Sequence, residues 1–273
     1  VVVFSSHLDV VPPQLPVHED DEWLAGRGAC DAKGIVAAMI AAAAILRDQG
    51  ERRVGLLFVV GEEEGGDGAQ RAAALEPKGR FLINGEPTEN RLSIGQKGSL
   101  CLTISAAGKA AHSGYPEAGI SATEALLDAL QRIRALPLPT DPLLGETTLN
   151  IGLLSGGVAT NVIPDAASAT LVFRTVGDHD PLEARVRAAA GDRVQVERRY
   201  LFPPIRSPAL PGWETTVVKY ASDLAHLTAW GTGYQLGPGS ILVAHTAFER
   251  IRKEDLREGV RHYVRLARTL LEA

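Results

Sequence analysis

Cysteine is nearly missing from this chain: two residues in 273, Cys30 and Cys101, set far apart. They build no disulfide framework and no CxxC motif, and a reducing, cytoplasmic setting fits. Long apolar runs are missing as well. The longest, Ile35 to Leu46, is mostly alanine and falls short of the roughly 18 to 20 residues that cross a bilayer, so it reads as a buried helix. No basic stripe stands out among 28 Lys and Arg against 33 Asp and Glu, scattered along a chain of net charge −5. The footprint of nucleic-acid binding is therefore lacking. There is no low-complexity tract and no repeat at a solenoid period. Without a GxSxG elbow or a P-loop, serine-hydrolase and nucleotide-triphosphatase readings have no support. The chain opens on VVVFSS, with neither methionine nor signal peptide ahead of it.

What is present is enough apolar material for a sizeable core, 45% hydrophobic against 22% charged. At about 150 residues per domain, the length points to about two domains. VVVFSS, Val54–Val60 and Phe81–Ile83 read as buried strands. The alanine-rich run to about Gln49 reads as a helix stopped at Gly50, and a short helix is expected at 67–75. This alternation implies a parallel sheet with crossover helices. From 98 to 199 the order becomes strand, helix, two strands, helix, strand, the ferredoxin-like arrangement. A helix near 213–224, a strand near 233–236 and a helix from 254 then return to the first pattern. The expectation is a discontinuous α/β domain, 1–95 and 204–273, with a largely parallel sheet. An α+β ferredoxin-like (β-α-β-β-α-β) domain, 96–203, is inserted in it.

Ligands of open α/β sheets bind beyond the carboxyl ends of the strands, and the unusual side chains fall there. His7 and Asp9 follow the first strand, Glu62 and Glu63 the second, Glu86 the third, and His245 the loop after Tyr234-Gln235-Leu236. Asp31 lies just ahead of the alanine-rich helix. Any one strand-end carboxylate usually caps a helix or stays solvated, but His7, Asp31, Glu63, Glu86 and His245 can meet at one point. Two imidazoles and three carboxylates suit Zn²⁺, with Co²⁺ or Mn²⁺ possible, and need no thiolate. A carboxylate can bridge, so five ligands can serve two ions that share a water. Glu62-Glu63 could supply one base and one ligand, and Asp9 is placed to fix the tautomer of His7.

In order, the chain carries His7-Leu8-Asp9, GRGACDAKG (26–34), GEEEG (61–65), Gly85-Glu86-Pro87-Thr88, AAHSGYPEAGISA (110–122), Asn161-Val162-Ile163-Pro164 and GPGSILVAHTAFE (237–249). Together these motifs resemble the dinuclear zinc amidohydrolases that include acetylornithine deacetylase, succinyl-diaminopimelate desuccinylase, aminoacylase and carboxypeptidase G. The likeness covers nearly the whole chain. It implies that Asp31 bridges two metals, that His7 and Glu86 complete one site, and that Glu63 and His245 complete the other. It makes Glu62 the general base and then the acid. His112 would polarise the scissile carbonyl, usually across a dimer interface. Asn161, Arg174 and the backbone at Gly239 would hold the substrate carboxylate. Glu64 is expected in solvent and Cys30 in packing, with His18, His179, His226 and His262 structural. Ser222-Asp223 resembles the family's Thr-Asp only loosely.

The leading expectation is metal-dependent hydrolysis of the amide of a small N-acyl amino acid, acetylornithine deacetylase-like, in a cytoplasmic homodimer. A metal-bound water would attack, with Glu62 as base. The alternatives are a desuccinylase, a dipeptidase or carboxypeptidase of the same family, and a catalytically inactive dimerising or amino-acid-binding module. Members of that family carry several dozen mostly helical residues before the strand that ends in HxD. The resemblance therefore implies a copy shortened at its start that keeps all five ligands.

Overall fold

Alternation along the first strand decides how the chain packs. β1 (Val2–His7) is buried throughout, because Val2 and Phe4 face one layer of the core while Val3 faces the other. The computed structural model describes all 273 residues. It divides into two compact units, Val1–Gln96 with Ile205–Val218 and Ser222–Ala273, and Lys97–Pro204 with Lys219–Ala221. In the first unit, α1 (Lys33–Asp48) follows Asp31 directly. It ends in a Schellman turn at Gly50, φ 89°, where Gly50 N–H donates to the Arg47 carbonyl and Glu51 N–H to that of Leu46. Gly34 is required here, since a Cβ would sit 2.2 Å from the Ala29 carbonyl oxygen.

Then come β2 (Val54–Val59), α2 (Asp67–Ala72), β3 (Phe81–Asn84) and β4 (Leu92–Gln96). The second unit contains β5 (Ser99–Ala107), α3 (Ala122–Arg134), β6 (Thr148–Gly156), β7 (Ala166–Arg174), α4 (His179–Ala190) and β8 (Gln195–Phe202). The chain returns to the first unit through β9 (Ile205–Arg206), β10 (Thr215–Val218), β11 (Thr232–Gln235) and α5 (Lys253–Glu272).

The seven-stranded sheet of the first unit runs β9-β4-β11-β3-β1-β2, with β10 also on β4. β2, β1, β3 and β11 are parallel, in a register that pairs His7 with Val59, Ser5 with Asn84, and Asn84 with Gln235. Their carboxyl ends therefore finish at one level. The sheet is mixed: four of its six strand pairings are parallel, while β4 runs antiparallel to both β11 and β9. The short connection 85–91 leaves no room for the dozen or so residues of a parallel crossover.

The helix expected near 213–224 is not formed. Thr215, Thr216, Val217 and Val218 are β-branched and take an extended strand instead, and only a 3₁₀ turn, Asp223–Ala225, follows. Helices α1 and α5 cover one sheet face through Ile35, Met39, Leu46, Tyr263 and Leu266, and Leu224, Leu227 and Trp230 close the other. Each large apolar side chain so buried contributes about 1.5–3 kcal/mol.

The second unit has a four-stranded antiparallel sheet in the order β6-β7-β5-β8. Its core comprises Leu100, Leu102, Ile104, Leu171 and Phe173 packed with Leu126, Leu130 and Ile133 of α3 and Leu182 and Val186 of α4. Ser121 caps α3 by accepting from the Glu124 N–H, a start signal readable in the sequence.

Candidate metal centre

The aligned strand ends deliver their side chains to one place. His7, at the last position of β1, is 1% exposed, and its Nε2 lies 3.1 Å from Asp31 Oδ1. The other Asp31 oxygen, Oδ2, is 3.4 Å from His245 Nε2, which is 3.0 Å from Glu63 Oε1. Two triads result, His7–Asp31–Glu86 and Asp31–Glu63–His245, each with one ligand atom per residue and those atoms within 4.8 Å of one another. Asp31 belongs to both. Glu86 is buried, and Asn84 Nδ2 donates to its Oε1 at 3.5 Å. His245 stands half exposed at φ 61°. Two imidazoles and three oxygen donors, with a shared carboxylate between them, fit a pair of divalent ions.

Asp9 meets the second ring nitrogen of His7 mainly through its backbone. The nearest oxygen to His7 Nδ1 is the Asp9 backbone carbonyl at 3.1 Å, with the carboxylate 3.7 Å away. The carboxylate instead accepts from the Glu62 and Glu63 N–H groups at 3.4 and 3.2 Å. One residue thus holds both the imidazole and the turn that carries Glu62.

Proton affinities in the cluster follow from burial and crowding. Burial and the negative charge of Asp223, Asp31 and Glu63 push Glu62 up to about 8, against the pull of His7. Burial and Glu62 push Glu86 well above the carboxylate range. Burial works against a charged His7, but hydrogen bonds with Asp31 and Asp9 hold it well above its ordinary value. Hydrogen bonds with Asp31 and then Glu63 raise His245 to about 10.

At pH 7 the metal-free site therefore carries a proton on His245 and on most of Glu62. A divalent ion must displace the His245 proton, so affinity is expected to rise as pH rises toward about 10, with about one or more protons released on binding at pH 7. Calorimetry in buffers of differing ionisation enthalpy measures this, and proton-neutral binding would contradict it.

Sequence reasoning gave Asp223 no role. It is 1% exposed, neither carboxylate oxygen has a hydrogen-bond partner, and burial raises it to about 7. Its charge acts on both Glu62 and Glu86. A Cβ at Gly66 would lie 2.6 Å from His226 Cδ2 and 3.1 Å from Asp223 Oδ1. His226 thus stands beside the glutamate turn rather than apart from it. A second missed group is the buried set Asn84, Ser222, Gln96 and Gln235. Ser222 Oγ sits 2.7 Å from both glutamine Oε1 atoms and accepts from Asn84 Nδ2 at 3.3 Å. The signal for these was a polar residue ending a buried strand, readable in FLIN and TGYQ.

Cys30 is buried with Sγ 3.3 Å from the Ser240 carbonyl oxygen, and burial pushes its thiol up, away from nucleophilic use. Gly239 packs over it at φ 85°, where a Cβ would meet Cys30 Sγ at 2.6 Å. The Gly239 carbonyl is taken by the Glu89 N–H.

Within the second unit, His112 and Asn161 come together. His112 bridges to Val162, and Ser113 N–H donates to the Asn161 carbonyl at 2.9 Å. His112 Nδ1 accepts from the Gly114 N–H at 3.0 Å, so in the neutral ring Nε2 carries the proton. Arg174 is not with them. It ends β7 opposite Thr148, whereas Asn161 precedes the start of that strand. The nine residues of β7 separate its two ends by roughly 26 Å at about 3.3 Å per residue.

Chemistry of this kind at the carboxyl edge of an α/β sheet defines a metal-dependent hydrolase. The family can be stated outright: the chain belongs to peptidase family M20/M25/M40, which matches residues 3–269. It is a family of dinuclear metal-binding peptidases. A probable carboxypeptidase of Aspergillus clavatus is 41% identical over 99% of this chain and 69% of its own length. Among solved structures, a tripeptidase from Staphylococcus aureus superposes with a TM-score of 0.77 at 22% identity, covering 100% of this chain and 81% of that one. An M20 family metallo-carboxypeptidase from Sulfolobus solfataricus gives 0.75 at 16% identity, covering 97% and 83%.

Proposed function

We propose that this chain is a dinuclear metal-dependent carboxypeptidase or dipeptidase that releases the C-terminal residue of a short peptide. Two ligand triads sharing Asp31, with Glu62 at their side, carry the reading. The sequence motifs alone favoured deacylation of a small N-acyl amino acid. The relative at 41% identity is named a carboxypeptidase, and that shifts the preference to the peptide. Both reactions cut an amide whose amine product carries a free carboxylate, so one metal centre serves either, and the pocket walls decide.

His7, Asp31 and Glu86 would hold one ion, and Asp31, Glu63 and His245 the other, Zn²⁺ by donor type with Co²⁺ or Mn²⁺ as substitutes. When bound, such ions lower the pKa of water toward about 7 and polarise a carbonyl. Glu62 takes the proton of the attacking water and passes it to the leaving amine nitrogen. His112, whose Nδ1 accepts from the Gly114 N–H, would donate from Nε2 to the oxygen that gains charge, and Asn161, Arg174 and the Gly239 backbone would hold the substrate carboxylate.

N-blocked dipeptides, free dipeptides, N-acetylornithine and N-succinyl-diaminopimelate, assayed side by side with Zn²⁺ or Co²⁺, test the substrate class. Turnover is expected on the peptides, by 10-fold or more in kcat/KM, which is about 1.4 kcal/mol of discrimination. Turnover confined to N-acetylornithine would restore deacylation.

His112 and Asn161 lie at one end of β7 and Arg174 at the other. A substrate of two or three residues cannot span that strand, so these groups serve one substrate only if two copies of the chain contribute them. Mixing Glu62→Gln with His112→Ala protomers should then restore about half of wild-type activity in pure mixed dimers and about a quarter after random association, since half of the sites in mixed dimers carry both native residues. Verified mixed dimers without activity would refute the shared site.

A further inference from the structure

Glu249 is outside both triads, yet four donors converge on its carboxylate. Oε1 accepts from the N–H groups of Gly28 at 2.8 Å, Cys30 at 3.2 Å and Asp31 at 3.1 Å. Oε2 lies 2.6 Å from Arg27 Nη1. Both side chains are shut off from solvent, at 2% and 0% exposure. Arg27 also donates to the carbonyls of Thr246, at 3.1 Å, and Pro13, at 3.3 Å. The backbones meet too, with Gly26 N–H on the Glu249 carbonyl at 3.0 Å. The segments joined in this way are the two that carry Asp31 and His245.

Stability alone is a weak reason for such a pair, because burying two charges costs several kcal/mol per ion and apolar residues of similar volume often do as well. An apolar pair could not fill the concavity made by three N–H groups of a curved loop, with Gly28 at φ 85° at its start. Such a nest of N–H groups takes an anion, and Glu249 supplies it from within the fold. Its amide held there, Asp31 keeps one oxygen toward His7 and the other toward His245.

We propose that the buried Arg27–Glu249 pair is a positioning element for the metal centre: by fixing the Gly28–Asp31 loop against the 245–249 segment it sets the geometry of the shared carboxylate, and so acts on both half-sites at once. This rests on reading the triads as a two-metal site. The probe is Co²⁺ itself, titrated into metal-stripped full-length chain and followed by visible absorption, beside thermal melting of the metal-free protein.

Glu249→Gln is expected to weaken both Co²⁺ binding steps by about 10–100-fold, the usual effect of losing a partner that orients a ligand, and to change the absorption band. Since Gln leaves Arg27 uncompensated, the double variant Arg27→Met/Glu249→Gln is measured as well. It should melt, metal-free, near the wild type and still bind both ions more weakly. His245→Ala, as a comparison, should weaken one step only. Wild-type affinity at both steps in either Glu249 variant, or a loss confined to one step, overturns the proposal. So does collapse of both variants in the metal-free state, which would make the pair an element of the fold alone. A wild-type chain that takes up no Co²⁺ would overturn the metal-centre reading and this proposal with it.

Discussion

Glu62→Gln is expected to lower peptide hydrolysis by a factor of about 10²–10⁴, the range a positioned acid–base group supplies, while divalent-ion binding persists. Gln keeps the shape of the side chain and the N–H contact of its backbone with Asp9, but it can neither take the proton of the attacking water nor return one to the leaving amine. Glu62 is in neither ligand triad, so the ions have no reason to leave. In the metal-free site burial raises its proton affinity to about 8, and two bound cations would pull that value down. The wild-type rate should therefore fall as pH drops through a limb below about 8, and the variant should lack that limb. Unchanged kcat in the variant, or loss of both ions, would remove Glu62 from the role.

Asp31→Asn is expected to abolish binding at both half-sites together, and activity with it. Asp31 faces His7 with one oxygen and His245 with the other; an amide replaces one of those donors by NH₂, which cannot ligate, and removes the negative charge that both half-sites share. His245→Ala or Glu86→Ala should each weaken one step more than the other, because each belongs to a single triad. Metal content by elemental analysis separates the cases, and an Asn variant that retained one ion at full affinity would disprove the bridge. A second reading needs no metal. The Asp31 hydrogen bond is the largest cause of the raised His245 value, so the imidazole titration followed by NMR should move down toward the ordinary range in this variant.

The triad residues were legible because each follows a buried β-rich run, and parallel strands that end level bring such positions together whatever their separation in sequence. His7, Glu63, Glu86 and His245 needed only that rule, and Asp31 needed the helix that starts two residues later. The partners of these residues were not legible. Glu249 meets the Gly28 and Asp31 amides across most of the chain, and no spacing rule links them. Asp223 fell at the end of the helix expected near 213–224, and burial of a carboxylate is decided by what packs over it. β4 was missed because Leu92–Gln96 holds Ser, Gly and Gln between its apolar positions. The helix expected near 213–224 failed where β-branched side chains at Thr215–Val218 outweighed a weak helical pattern. The distance between Asn161 and Arg174 follows from the antiparallel register of β7 with its neighbours, which twelve intervening positions on a sequence cannot show.

The order in which the chain delivers its ligands bears on how the protein folds. His7, Asp31 and Glu86 all precede the excursion through Lys97–Pro204 and His245 follows it, so the ion of the second triad cannot find its full coordination until nearly the whole polypeptide has assembled. A dication in that triad therefore gives little help to a folding nucleus made of local contacts. It tightens the finished state instead, and stabilisation that is absent from the transition state slows unfolding while leaving the folding rate nearly untouched. In chevron measurements with Co²⁺ the contribution of that ion should fall on the unfolding arm, which would make it a latch on a completed fold.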